Sequence, residues 1–169
     1  MVFEFLRHPN DQEKNIVEST IEKMSPGKKR LLKLGKTGNY VFHGSPNGDI
    51  KMLEPRRCKV ENSDDSLVFA TEAPEVAIFR SMISRNIFPD DDNYASLFGM
   101  RRGKLYFEVS PSVFKELNNS KEGYVYVIPK SEFKKLSKIE LVLHEPIQPV
   151  EVIRVTSKDL PEGIMVMKR

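Results

Sequence analysis

Tyr40-Val41-Phe42-His43-Gly44-Ser45-Pro46 is where the chain stops reading as helix and starts reading as sheet. Its β-branched and aromatic residues suit an extended, half-buried strand, and Pro46 closes it. A histidine at the end of such a strand places an imidazole at the rim of a sheet. Gly44, with no Cβ, lets the backbone approach a ligand closely. The same residues also fit a histidine bonded to a turn carbonyl ahead of an ordinary Ser-Pro turn.

Five further short β-rich runs follow: Leu67 to Ala70, Lys104 to Val109, Tyr124 to Ile128, Ile139 to Leu143 and Val150 to Val155. Six strands are therefore expected. Between them, Pro74 to Arg85 and Pro111 to Leu117 read as helices, with Thr71 as a cap ahead of the first. Upstream, Ile16, Val17, Ile21 and Met24 recur at helical spacing over Asp11 to Met24, and Ser25-Pro26-Gly27 ends that helix. A second short helix runs through Leu34, and Gly35 with Gly38 breaks it. Strands outnumber helices and the last ones follow each other closely, which favours an α+β fold with antiparallel pairs over a doubly wound sheet. The expected organisation is a single domain over 1–169, with an N-terminal helical segment 1–36 and a β-rich core 40–155.

At 169 residues, with 39% hydrophobic and 30% charged residues, the chain can bury a core of its own. Its apolar runs are far shorter than the roughly 20 residues that span a bilayer, and Met1 to His8 does not read as a secretory signal. A cytoplasmic location is the expectation. One cysteine, Cys58, excludes an internal disulfide and a multi-cysteine zinc site. Flanking Arg56, Arg57 and Lys59 would lower its pKa if it were reactive; an inert thiol fits as well. The net charge of +3 does not by itself mark a nucleic-acid binder. Lys28-Lys29-Arg30 with Lys33 and Lys36 forms a basic stretch that suits either a phosphate backbone or a solvated helix face. Asp90-Asp91-Asp92-Asn93 reads as an acidic loop without calcium-ligand spacing, and His8, His43 and His144 lack metal-ligand spacing, so no metal is expected.

Two more segments carry candidate chemistry. Leu67-Val68-Phe69-Ala70-Thr71 runs into a helix that carries Phe79, an aromatic that is either core or a stacking platform. His144-Glu145-Pro146 puts a carboxylate in extended backbone ahead of the last strand, because the residue before proline is pushed out of the helical region.

Together, Val41-Phe42-His43-Gly44-Ser45, Leu67-Val68-Phe69-Ala70-Thr71 with Phe79, and His144-Glu145 resemble the H-Y-E type of ADP-ribosyltransferase fold. In that family a first strand ends in His-Gly-Ser/Thr, a second reads aromatic-Phe-Ala ahead of a helix with an aromatic, and a late strand opens with Glu. The resemblance covers roughly Tyr40 to Val155 and implies a split β-sheet core that binds NAD as substrate. By the same resemblance His43 bonds the ribose, Gly44 the carboxamide, Phe79 stacks on nicotinamide, and Glu145 holds the nicotinamide ribose as the glycosidic bond breaks. Ser45, Phe69 and Arg56 complete the implied NAD-binding set, Arg56 or Arg57 on the pyrophosphate. Val68 stands where the family has tyrosine, and Val76 or Ala77 where it has a small hydroxyl residue. Some relatives use NAD to accept a phosphate from RNA. The acceptor of ADP-ribose stays open among protein, nucleic acid, small molecule and water. Two other functions fit the residues: an inactive nucleotide- or partner-binding module of the same fold, or a metal-independent ribonuclease using His43 and His144.

Overall fold

The computed structural model describes residues 24–57, 65–84, 96–120 and 122–168. Its central strand, β1 (Tyr40–Ser45), is followed by β2 (Arg56–Arg57), β3 (Ser66–Thr71), β4 (Ser96–Arg101), β5 (Lys104–Val109) and β6 (Glu122–Pro129). The chain closes with β7 (Lys134–Lys135), β8 (Glu140–Leu143), β9 (Glu151–Thr156) and β10 (Met165–Val166). The helices are α1 (Pro26–Thr37), α2 (Pro74–Ser81) and α3 (Pro111–Asn119). The main sheet has the order β7-β8-β3-β1-β6-β9, with β2 added to β3, and all its pairs are antiparallel. A second sheet, β10-β5-β4, contains the one parallel pair among the described strands. The fold is mixed α+β with an antiparallel-rich sheet. Strands β2, β4, β7 and β10 were not among the six read from the sequence. Three of them are two-residue pairs with no period to detect, and β4 carries Gly99 and polar ends.

Both faces of the main sheet are covered, which is why β1 and β6 are nearly continuous in apolar residues. On one face Phe42, Val125, Val127, Ile153 and Val155 pack with α1, α2, α3 and the second sheet. On the other, Val41, Val68, Ala70, Tyr126, Ile128 and Leu141 pack with Leu53 and Phe133. The strand period of two sorts neighbours such as Val41 and Phe42 onto opposite faces.

Local chemistry sets the helix ends. Ser25 caps α1 by accepting the Lys28 N–H, Pro26 occupies its first turn, and Gly38 ends it in a left-handed conformation. Gly35 does not break this helix. It lies inside it, against the Pro74 ring. Thr71 does not cap α2 but accepts the Ala73 N–H in a local turn. That helix stops at Ser81, short of the expected Arg85, and Met82 and Ile83 turn into the core. The Asp11 to Met24 helix, Cys58 and the Asp90 to Asn93 loop lie outside the described residues, Met24 excepted. Among the described residues no helix is long and apolar enough to cross a membrane.

Helix α2 rests on β1 and β6 because two glycines admit it. A Cβ on Gly44 would sit 2.0 Å from the Ala77 carbonyl oxygen, and one on Gly123 would sit 2.3 Å from Ser81 Oγ. The open side of Gly44 is thus filled by a helix. The β4-β5 turn is Arg102-Gly103, with φ of 51° and 76°. An arginine in the left-handed region costs about 1 kcal/mol, where asparagine or glycine would cost less.

Substituting Gly44→Ala should lower stability by about 2 kcal/mol through overpacking, seen as a lower urea midpoint at unchanged slope. Glu72, after β3, pairs with Lys130 and, at 3.5 Å, with Lys135. The Lys130 hydrogen bond holds the Glu72 carboxyl below its ordinary value, against a smaller opposing effect of burial. A lowered carboxylate pKa contributes stability that is complete above the ordinary carboxylate range and is lost as pH falls through the folded value. Glu72→Gln should therefore flatten the acid limb of the stability curve while changing little in salt, as a partly exposed pair requires.

Candidate functional site

Strands β1 and β3 are neighbours, yet they pair at a single position, Phe42 opposite Thr71. Beyond it β1 stays laddered to β6 out to Ser45 opposite Tyr124, while β3 is laddered to β8. The sheet is therefore split, with His43, Gly44 and Ser45 on one side and Leu67, Val68 and Phe69 on the other. A side chain spans the split: His43 Nδ1 lies 2.7 Å from the Phe69 carbonyl oxygen. A carbonyl only accepts, so Nδ1 carries the hydrogen, and in the neutral ring Nε2 is the acceptor. The imidazole also lies against Tyr126, at 6.4 Å between ring centres and a 56° tilt.

At the split opens a cleft of about 320 Å³ lined by β1, β3, the segment 46–57, α2 and the start of β4. Tyr126 pins the segment that follows β1: its hydroxyl donates to the Asn47 carbonyl at 2.6 Å and accepts the Ile50 N–H at 3.1 Å. Burial pushes the Tyr126 phenol up, which keeps it protonated and able to donate. Leu53 and Ile147 then exchange two backbone hydrogen bonds, tying the far end of the segment to the chain beyond β8.

Five of the residues expected from sequence come together here. His43, Gly44, Ser45, Arg56 and Phe69 all line the cleft. Phe79 does not. It is fully buried, 4.9 Å from the Phe107 ring, on the core side of α2. Glu145 is also outside the lining: β8 ends at Leu143, and His144-Glu145 form an exposed bend past it. His144, the second histidine of the two-histidine arrangement, is excluded from the lining by the same geometry.

The carboxylate that does line the cleft on β8 is Glu140, the first residue of that strand. The registers place Phe42, Thr71 and Glu140 in one row across β1, β3 and β8, one residue from His43. A signal for it was present in Ile139-Glu140-Leu141-Val142-Leu143, a β-run that opens on glutamate. Picking it over Glu145 required knowing that this strand, and not the next, lies beside β3. Arg57 and Arg80 join Arg56 in the lining, and the Arg80 guanidinium sits 5.5 Å from the centre of the Phe98 ring, also in the lining. The cleft thus combines an imidazole of fixed tautomer, a strand-end carboxylate, arginines and apolar walls from Val68, Val76 and Ala77. No family model, curated protein or solved structure matches the chain.

Replacing Tyr126 by Phe deletes both hydrogen bonds to the segment after β1. It should cost about 1 to 3 kcal/mol and speed amide exchange at Ile50 and Leu53 more than in β6 itself.

Proposed function

We propose that this chain is an ADP-ribosyltransferase-like protein that binds NAD in the cleft and breaks its nicotinamide glycosidic bond, with Glu140 taking the role first expected of Glu145. One observation supports this above the rest: His43 at the end of β1 and a glutamate that opens β8 line the same cleft, at a split between two sheet neighbours. That matches the motif order of the resemblance, a His-Gly-Ser strand and a later strand opening with Glu. The cleft volume of about 320 Å³ is at the small end of ligand sites, a space for the nicotinamide mononucleotide half of the molecule.

In the proposed reaction the bond between the ribose C1′ and the nicotinamide nitrogen breaks, and its electron pair leaves with nicotinamide. The sugar becomes oxocarbenium-like, and the Glu140 carboxylate stabilises it through charge and by accepting a hydrogen bond from a ribose hydroxyl. His43, oriented by its Nδ1–H to the Phe69 carbonyl, uses Nε2 to accept a second ribose hydroxyl. Arg56 or Arg57 takes the pyrophosphate as a charge-assisted partner. Nicotinamide packs against Phe69 or Phe98, since Phe79 is enclosed in the core. The freed sugar then passes to an acceptor or to water.

Nicotinamide release and NAD affinity, measured for wild type, Glu140→Gln, Glu145→Gln and His43→Ala, test this reading. Glu140→Gln should cut release by about 10² to 10³ while keeping affinity. Glu145→Gln should behave as wild type, and His43→Ala should bind more weakly. Wild-type binding without release would instead make the chain a nucleotide-binding module, and no binding by wild type would end the NAD reading.

A further inference from the structure

We propose that the β4-β5 hairpin is a docking surface for single-stranded nucleic acid, with its Arg101-Arg102-Gly103-Lys104 tip on the phosphates and Tyr106 beside the bases. All four tip residues are exposed, and three are cations. Arg101 is the one of the three with an acidic neighbour, Glu108 at 3.7 Å; Arg102 and Lys104 have no acidic partner among the described residues. Arg102 is also the one non-glycine residue with left-handed φ among the described residues. Charge held where the backbone disfavours it points to a use for that charge. Protection of the β4 edge against pairing with other chains does not account for it, since a lysine within the strand would serve.

The outer face of the hairpin adds the second half of the chemistry. The β4-β5 register puts Leu97, Gly99 and Arg101 opposite Glu108, Tyr106 and Lys104, on the side away from the buried Phe107 and Val109. Because Gly99 has no side chain, the Tyr106 ring lies close over it; a Cβ there would come within 2.6 Å of the ring. The Arg101 guanidinium lies 4.8 Å from the centre of that ring, and Leu97 beside it is 52% exposed. Cations interleaved with an aromatic ring are what a single strand requires, phosphates on the one and bases on the other. An acidic protein surface would use the cations and leave the ring without a role.

The same strand reaches the cleft. Ser96 and Phe98 of β4 are in its lining, and at strand spacing Arg101 lies about 10 Å along from Phe98. A nucleic acid on the hairpin is thereby led toward the cleft, but its binding is independent of the NAD reading and is measured without NAD.

The test is fluorescence anisotropy of a labelled oligothymidylate of about ten nucleotides, titrated with the full chain from about 50 to about 200 mM salt. The variant Arg101→Ser, Arg102→Asn, Lys104→Ser should bind at least about tenfold more weakly, and its salt slope should fall by about 2, three cations at about 0.7 each. Arg102→Asn keeps the left-handed turn, so the variant's melting temperature should not fall. Tyr106→Leu should weaken binding at unchanged salt slope. The proposal is overturned if wild type does not bind, if the hairpin variant binds as wild type does, or if Lys33→Ser with Lys36→Ser on α1 loses as much. It is equally overturned if polyglutamate competes as well as unlabelled oligothymidylate, which would indicate an acidic protein partner, or if a duplex of the same length binds as tightly.

Discussion

The seating of α2 on the central strand, with the Ala77 carbonyl where a Gly44 side chain would be, is the contact on which the rest of the arrangement depends. Strand β3 runs directly into α2, so the position of the helix fixes where β3 ends. That end is the single β1-β3 pair, Phe42 with Thr71. With the helix drawn down onto β1 and β6 by Gly44 and Gly123, β3 is free to ladder with β8 while β1 ladders with β6. The cleft is the consequence, roofed by Val76, Ala77 and Arg80.

A split in a buried sheet leaves backbone polar groups that need partners, and desolvated groups without them are costly. The His43 ring meets this in part by donating to the Phe69 carbonyl across the gap. The same bond fixes the tautomer and aims the imidazole, so structural need and chemical readiness coincide in one side chain. Tyr126 does comparable service for the segment after β1, holding it from the opposite face of the sheet through Asn47 and Ile50. Polar atoms around the cleft are consequently held by the scaffold before any ligand arrives, which lowers the ordering cost of binding.

Charge is distributed unevenly over this frame. Arg56, Arg57 and Arg80 border the cleft, and the β4-β5 hairpin carries three more cations outward from its wall. The overall excess of +3 hides this, because acidic residues elsewhere balance the sum. Local placement, not net charge, decides what an anionic molecule meets first.

Composition and period were sufficient for much of this. The β-rich runs from Tyr40 onward identified the principal strands, since β-branched and aromatic residues in alternation have few other uses. Ser25, Pro26 and Gly38 marked the ends of α1 through local hydrogen bonds and backbone angles that involve no distant residue. His43, Gly44, Ser45, Arg56 and Phe69 were legible as a group because they lie on or beside strands whose ends meet. What the chain could not disclose residue by residue was pairing. Glu140 and Glu145 both stand near a late strand, and only the register of β8 on β3 separates them. Phe79 has the composition of a stacking ring, and only the packing of α2 against Phe107 turns it inward. Gly44 could equally admit a ligand or a helix, and the tertiary structure gives its open side to the helix. Local propensity acts over a few residues, whereas the choice of neighbour across a sheet is made by contacts between segments up to a hundred residues apart, and that choice belongs to the folded molecule alone.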